Sequence, residues 1–168
     1  MTSRDRDAAG RPRNARPRDA LGRPLSRGEA GDFRIPDDLT LAGPEAAALA
    51  DELLRAGRPF HAHEVLEASW KTGPAAERDL WQGLAQIAVG LTHALRGNAR
   101  GAVTLLERGR ERVRAYQAGL GPDGSRPYGM DVAGFLAVTA GLAERISRDG
   151  LEGIAAAELC PGLLVRNQ

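Results

Sequence analysis

From Pro44 to Ile146 the apolar residues recur at three- and four-residue intervals, the repeat of helices that each bury one face, and no stretch alternates as a strand would. Pro44 suits a first helical position, Ala47, Leu49, Ala50, Leu53 and Leu54 form a stripe, and Gly57 supplies a stop. A second helix is predicted from Pro59 to Trp70, closed by Thr72-Gly73-Pro74, and a third from about Ala75 to Arg96, with Gly97 after it. Asn98 can cap a fourth helix reaching about Tyr116, with Ala102, Leu105, Leu106, Val113 and Tyr116 on one stripe. Beyond a loop from Gly119 to Gly129, Asp131 can cap a fifth helix carrying Val132, Phe135, Leu136, Thr139, Leu142 and Ile146, ended by Gly150. The pattern predicts an all-α fold, a compact bundle of about five helices.

The third helix has two contrasting faces. Leu80, Leu84, Ile87, Leu91 and Leu95 share one, while Gln82, Gln86, Val89 and His93 share the other. A surface helix would carry charges opposite its apolar stripe, whereas this one carries amides and an imidazole. Gly83 and Gly90 lie seven apart on a flank where another backbone can approach closely. The helix near residues 75–96 is therefore expected at the centre, with Leu84 and Leu91 in the core.

Three segments follow from composition. Residues 1–38 mix Arg, Pro, Gly and Asp with few large apolar residues, the composition of a flexible arm that cannot bury enough surface to offset its ordering entropy. Within it, Phe33 and Ile35 are the residues able to dock on the bundle. Residues 39–150 are the helical domain, and 151–168 read as a C-terminal tail with a short helix. A chain of 168 residues accommodates one domain of ordinary size.

Charge and cysteine content narrow the classes of function. The net charge of +1 conceals eight Arg against four acids in residues 1–30, which leaves the rest of the chain net negative. Nucleic acid is thus not expected to bind except through the basic arm, where the run Arg11 to Arg18 could touch it. Lys71 is the sole lysine among 23 basic residues, which fits a codon bias toward arginine. Cys160 is the sole cysteine, so neither an intrachain disulfide nor a multi-cysteine zinc site can form, and a reducing, cytoplasmic setting is expected. No apolar run is long enough to span a membrane, and no membrane partner is expected. Self-association into a homo-oligomer is compatible with this composition.

The candidate chemistry is confined to the second and third helices, which hold all three histidines, His61, His63 and His93. His63, Glu67 and Trp70 fall at i, i+4 and i+7 on one face, with Glu64 adjacent. The short turn that follows makes the helices antiparallel neighbours, so this face can meet Gln82, Gln86 and His93. The motifs Phe-x-x-His-Glu-Val-Leu-Glu-x-x-Trp, Trp-Gln-Gly-Leu-x-Gln, a histidine ending the third helix, and Arg-Gly-Asn-x-x-Gly-Ala run from Phe60 to about Val113. In these the chain resembles the domain of unknown function 309 family. The resemblance implies a compact helical domain of bacteria and archaea, with motif positions at His63, Glu64, Glu67, Trp70, Gln82, Gly83, Gln86 and His93. It implies no activity, and His61 falls at a position where the family pattern varies.

Two physical readings of the cluster stand side by side. In one, His63, Glu67 and His93 hold a divalent metal such as zinc, manganese or iron, Glu64 acts as general base, and Trp70, Gln82 and Gln86 contact a ligand. Under that reading a metal-dependent hydrolase is the first enzyme to consider. The spacing His63-Glu64-x-x-Glu67 departs from the zinc-protease motif His-Glu-x-x-His at its last position, so a protease is not implied. In the other reading the same residues form a buried hydrogen-bond network that specifies helix pairing and binds nothing. A third class, an interaction module, draws on the likeness of Trp81 to Val113 to half of a tetratricopeptide hairpin, yet one hairpin is too few for a solenoid. Gly119-Leu-Gly-Pro-Asp-Gly124 lacks the Lys-Ser/Thr of a phosphate loop, and Cys160 reads as a packed residue and not as a nucleophile.

Overall fold

The computed structural model describes residues 16–120 and 126–165, so the start of the Arg11 to Arg18 run, the middle of the loop after Gly119 and the last three residues lie outside the described set. The described residues form α1 (Gly43–Arg55), α2 (Pro59–Thr72), α3 (Arg78–Leu95), α4 (Ala99–Ala118) and α5 (Val132–Asp149), with short 3-10 turns at Ala75–Glu77, Pro127–Gly129 and Ala156–Leu159. No strand is present among them, and the fold is an all-α bundle. No described helix is long and apolar enough to cross a membrane.

Local chemistry accounts for the helix boundaries. Pro44 and Pro59 occupy first-turn positions, where a missing N–H costs no helical bond. Asn98 and Asp131 accept hydrogen bonds from the backbone N–H groups of Gly101 and Gly134, the capping roles their positions predict. Gly97, at φ 81°, ends α3 in a conformation that side-chain-bearing residues disfavour. The third helix begins three residues later than its apolar pattern predicts. Pro74 leads into a 3-10 turn, and Glu77 there accepts hydrogen bonds from Trp81 Nε1 at 2.9 Å and from the Tyr128 hydroxyl at 2.5 Å. The C-terminal segment forms a 3-10 turn where a short helix was expected.

Helix α3 lies at the centre, packed chiefly on α4 and α2. Leu80, Leu84, Ile87 and Leu91 are buried to within 1% of full enclosure, as its apolar face predicts. The opposite face, Gln82, Gln86, Val89 and His93, is half-buried. Helix α4 reaches α3 along the expected glycine flank. A Cβ at Gly83 would stand 2.8 Å from the Gly109 carbonyl oxygen, one at Gly109 would stand 2.6 Å from the Gly83 oxygen, and one at Gly90 would crowd Leu106 at 3.0 Å. The two backbones therefore touch where side chains would hold them apart.

The C-terminal segment is latched to α1. The buried Asp51 carboxylate accepts the N–H groups of Leu163 at 2.6 Å and Leu164 at 2.8 Å and pairs with Arg55, which also reaches the Leu164 carbonyl. Leu163 and Met130 are fully enclosed beneath this latch. Burial works against the Asp51 charge, but the Leu164, Arg55 and Leu163 hydrogen bonds outweigh it and hold the pKa below the ordinary 3.8.

Three outcomes are expected. Gly83→Ala should cost about 1–3 kcal/mol by urea denaturation, because the added methyl meets backbone. Gly141→Ala, where a Cβ meets nothing within 4 Å, should gain about 0.4–1 kcal/mol. Because the folded pKa of Asp51 is depressed, its contribution is present above pH 3.8 and lost as pH falls through the folded value. The acid limb of the stability curve should therefore be shallower in Asp51→Asn than in the wild type.

Candidate functional site

Helix α2 turns Pro59, His61, Ala62, Val65, Leu66 and Ser69 into the core, which leaves His63, Glu64, Glu67 and Trp70 half-buried along its other side. Along that side His63 Nε2 lies 3.3 Å from Glu67 Oε2, and Lys71 Nζ lies 2.6 Å from Glu67 Oε1. These three residues form an i, i+4, i+8 ladder with the carboxylate in the middle. The hydrogen bond from His63, aided by Lys71 and opposed by burial, lowers the Glu67 pKa to about 2. Glu64, one position from His63, is pushed the other way. Its carboxyl is raised above the ordinary 4.5 by burial, against which nearby His61 and His63 act only in part.

Two cavities adjoin the ladder. One, of about 170 Å³, lies between α2 and α3, with His63, Glu67 and Trp70 on one wall and Gln82, Gln86 and Val89 on the other. The second, of about 290 Å³, lies between α2 and the preceding segment, where Arg18, Ile35 and Asp37 face Phe60, Glu64 and Lys71. His63 and Glu67 line both, so the pair partitions the two spaces. Gln82 is engaged, its Oε1 accepting a hydrogen bond from Arg112 Nη1 at 3.0 Å. Two buried polar atoms at the smaller cavity's residues, His63 Nδ1 and Gln86 Oε1, have no hydrogen-bond partner among the described residues.

Of the residues expected at the site, the smaller cavity gathers His63, Glu67, Trp70, Gln82 and Gln86, and the larger one takes Glu64. His93 lines neither. The antiparallel packing sets Val89 among the residues facing His63, which leaves His93 one turn further along α3, where its Nδ1 lies 3.1 Å from the Asn98 amide nitrogen. Burial and the neighbouring Arg96 lower its pKa. The expected three-ligand set of His63, Glu67 and His93 is thus not assembled. Among the described residues, no three His, Cys, Asp or Glu are grouped to hold a metal ion.

Sequence reasoning gave His61 little weight, and it is the residue that docks the preceding segment. Its buried ring stacks on Phe33 with centroids 4.3 Å apart, and its Nε2 lies 2.8 Å from the Phe33 carbonyl oxygen, in position to donate to it. Beside it Arg58 pairs with Asp32 and stands over the Phe33 ring, while Arg96 donates to the Leu21 carbonyl. Ile35 packs against the core. The aromatic Phe33 in an otherwise polar stretch was the available signal. Lys71 was also overlooked as a site residue, although its spacing of four from Glu67 marks it.

Residues 48–105, from within α1 to within α4, match the family described as domain of unknown function, DUF309. This stretch is similar to that family over about a third of the chain. It contains every residue that lines the smaller cavity. No curated protein and no solved structure matches the chain.

The two carboxyls of the segment should titrate on opposite sides of 4.5 in carbon-13 spectra, Glu67 with a midpoint near 2 and Glu64 above 4.5. In His63→Ala the Glu67 midpoint should rise, since its largest stabilising hydrogen bond is gone. A Glu67 midpoint near 4.5 in the wild type would show that the ladder does not form in solution.

Proposed function

We propose that the DUF309-like segment is a binding module for a small polar molecule, held in the cavity between α2 and α3. The observation that carries this reading is the pair of buried, unpartnered atoms, His63 Nδ1 and Gln86 Oε1, on residues that line the same space. A buried polar atom without a partner costs about 1–3 kcal/mol, and a guest that donates to both recovers that cost. In the neutral imidazole whose Nε2–H faces the Glu67 carboxylate, Nδ1 is an acceptor, as is the amide oxygen of Gln86. Trp70 supplies apolar wall, Gln82 is held in place by Arg112, and the ionised Glu67 orients His63.

A network serving only helix pairing would satisfy its own members, as Gln82 is satisfied, whereas His63 Nδ1 and Gln86 Oε1 are left without a partner. Retention of zinc, manganese or iron needs about three protein donors, and with His93 turned to Asn98 these residues do not compose such a set. The metal-dependent hydrolase considered from the sequence loses its footing with that set. Glu64, on the other side of His63, has the raised pKa of a group suited to carry a proton, and binding does not require it to.

The decisive experiment uses Gln86→Leu, which replaces the open acceptor with a side chain of similar size. A small-fragment library is screened by ligand-observed NMR against the wild type and the variant. Fragments that bind the wild type should lose about tenfold or more in affinity, while the ligand-free variant should be as stable as the wild type or up to about 1 kcal/mol more so. A variant that melts several degrees lower, with no fragment distinguishing the two proteins, would mean that Gln86 serves the fold and that the binding reading is wrong.

A further inference from the structure

We infer that the guest of this site is a small organic cation, a primary ammonium or an amidinium, received by the Glu67 carboxylate, the Trp70 ring and the two open acceptors. The inference rests on the binding reading above and adds to it the chemical class of the ligand.

The charge of the cavity wall points this way. Among the described residues, Glu67 is the one carboxylate that lines the smaller cavity, and no Lys or Arg lines it. With a pKa near 2 it is fully ionised at neutral pH. The open hydrogen-bonding positions, His63 Nδ1 with Nε2 committed to Glu67 and the amide oxygen of Gln86, both call for a donor. An anion would face a fixed negative charge and two lone pairs. A neutral alcohol would satisfy an acceptor and gain nothing from the Glu67 charge. A group with two or three N–H donors and a positive charge meets all of these demands at once.

The chain also carries a sample of such a guest. The ammonium of Lys71 lies 2.6 Å from Glu67 Oε1 and 5.8 Å from the centroid of the Trp70 ring. A carboxylate and an indole that share one ammonium are a cation receptor, and the chain's own amine is seated at it from the side of the larger cavity. Lys71 is the single lysine of the chain, so among its basic side chains this one alone presents a compact ammonium and not a planar guanidinium. The cavity of about 170 Å³ suits a small guest.

Two probe pairs of matched shape test this, butylammonium against 1-butanol and acetamidinium against acetamide, with butyrate as the anion. Each is titrated at millimolar concentration into the full chain at pH 7.5, and the Trp70 indole and Gln86 side-chain amide resonances are followed. The cations should shift both resonances at concentrations about tenfold or more below their neutral counterparts, and butyrate should shift neither. Glu67→Gln, with folding checked by its melting curve, should erase the preference for cations. Lys71→Met should strengthen cation binding by removing the internal competitor. If the neutral probes bind as well as the cations, or Lys71→Met weakens the cations, the cation assignment fails while the binding reading stands. If no probe of any charge moves either resonance, both are overturned.

Discussion

The backbone contact between α3 and α4 governs what the rest of the bundle can do. Because Gly83 and Gly109 present no side chains to each other, the two helices close to a separation at which any Cβ would strike a carbonyl oxygen. At that distance α4 covers one whole flank of α3, and the apolar face of Leu80, Leu84, Ile87 and Leu91 is sealed in the core. The strip of Gln82 and Gln86 is then the part of α3 left to face α2, so its half-buried amides share a cavity with His63 and Glu67.

Much of this arrangement was legible because it is local. The helical repeat placed Leu84 and Leu91 in the core, the caps at Asn98 and Asp131 act as their residue types dictate, and the glycines at 83 and 90 mark a close approach. The grouping of His63, Glu67, Trp70, Gln82 and Gln86 followed from spacing and a short turn. What failed was register. His93 lies one turn beyond Val89, the residue that shares the cavity with His63, and it supports the Asn98 cap instead. Periodicity carries no information about how far one helix slides past its neighbour. The Gly109 partner of Gly83, the stacking of His61 on Phe33 and the grip of Asp51 on Leu163 all join residues more than twenty positions apart, beyond the reach of any local pattern.

Within the site, the two glutamates of α2 illustrate how a three-residue offset on a helix separates acid strengths. Glu67 has partners on both sides, His63 and Lys71, and stays ionised far into acid. Glu64 is enclosed without a comparable partner and holds its proton more tightly than a free glutamate. The imidazole of His63 therefore has a permanent charge one turn along the helix and a protonatable group beside it, and its Nε2 faces the charge.

The latch between Asp51 and the Leu163 and Leu164 amides also bears on the order in which the chain can fold. Contacts among α1, α2, α3 and α4 join neighbours in sequence and close quickly, whereas the latch spans 112 residues. Until Leu163 is in place, Asp51 is a carboxylate facing an open apolar seam beside Met130. During synthesis on the ribosome that seam stays exposed until Leu163 and Leu164 emerge, long after the helix that carries Asp51 has been made.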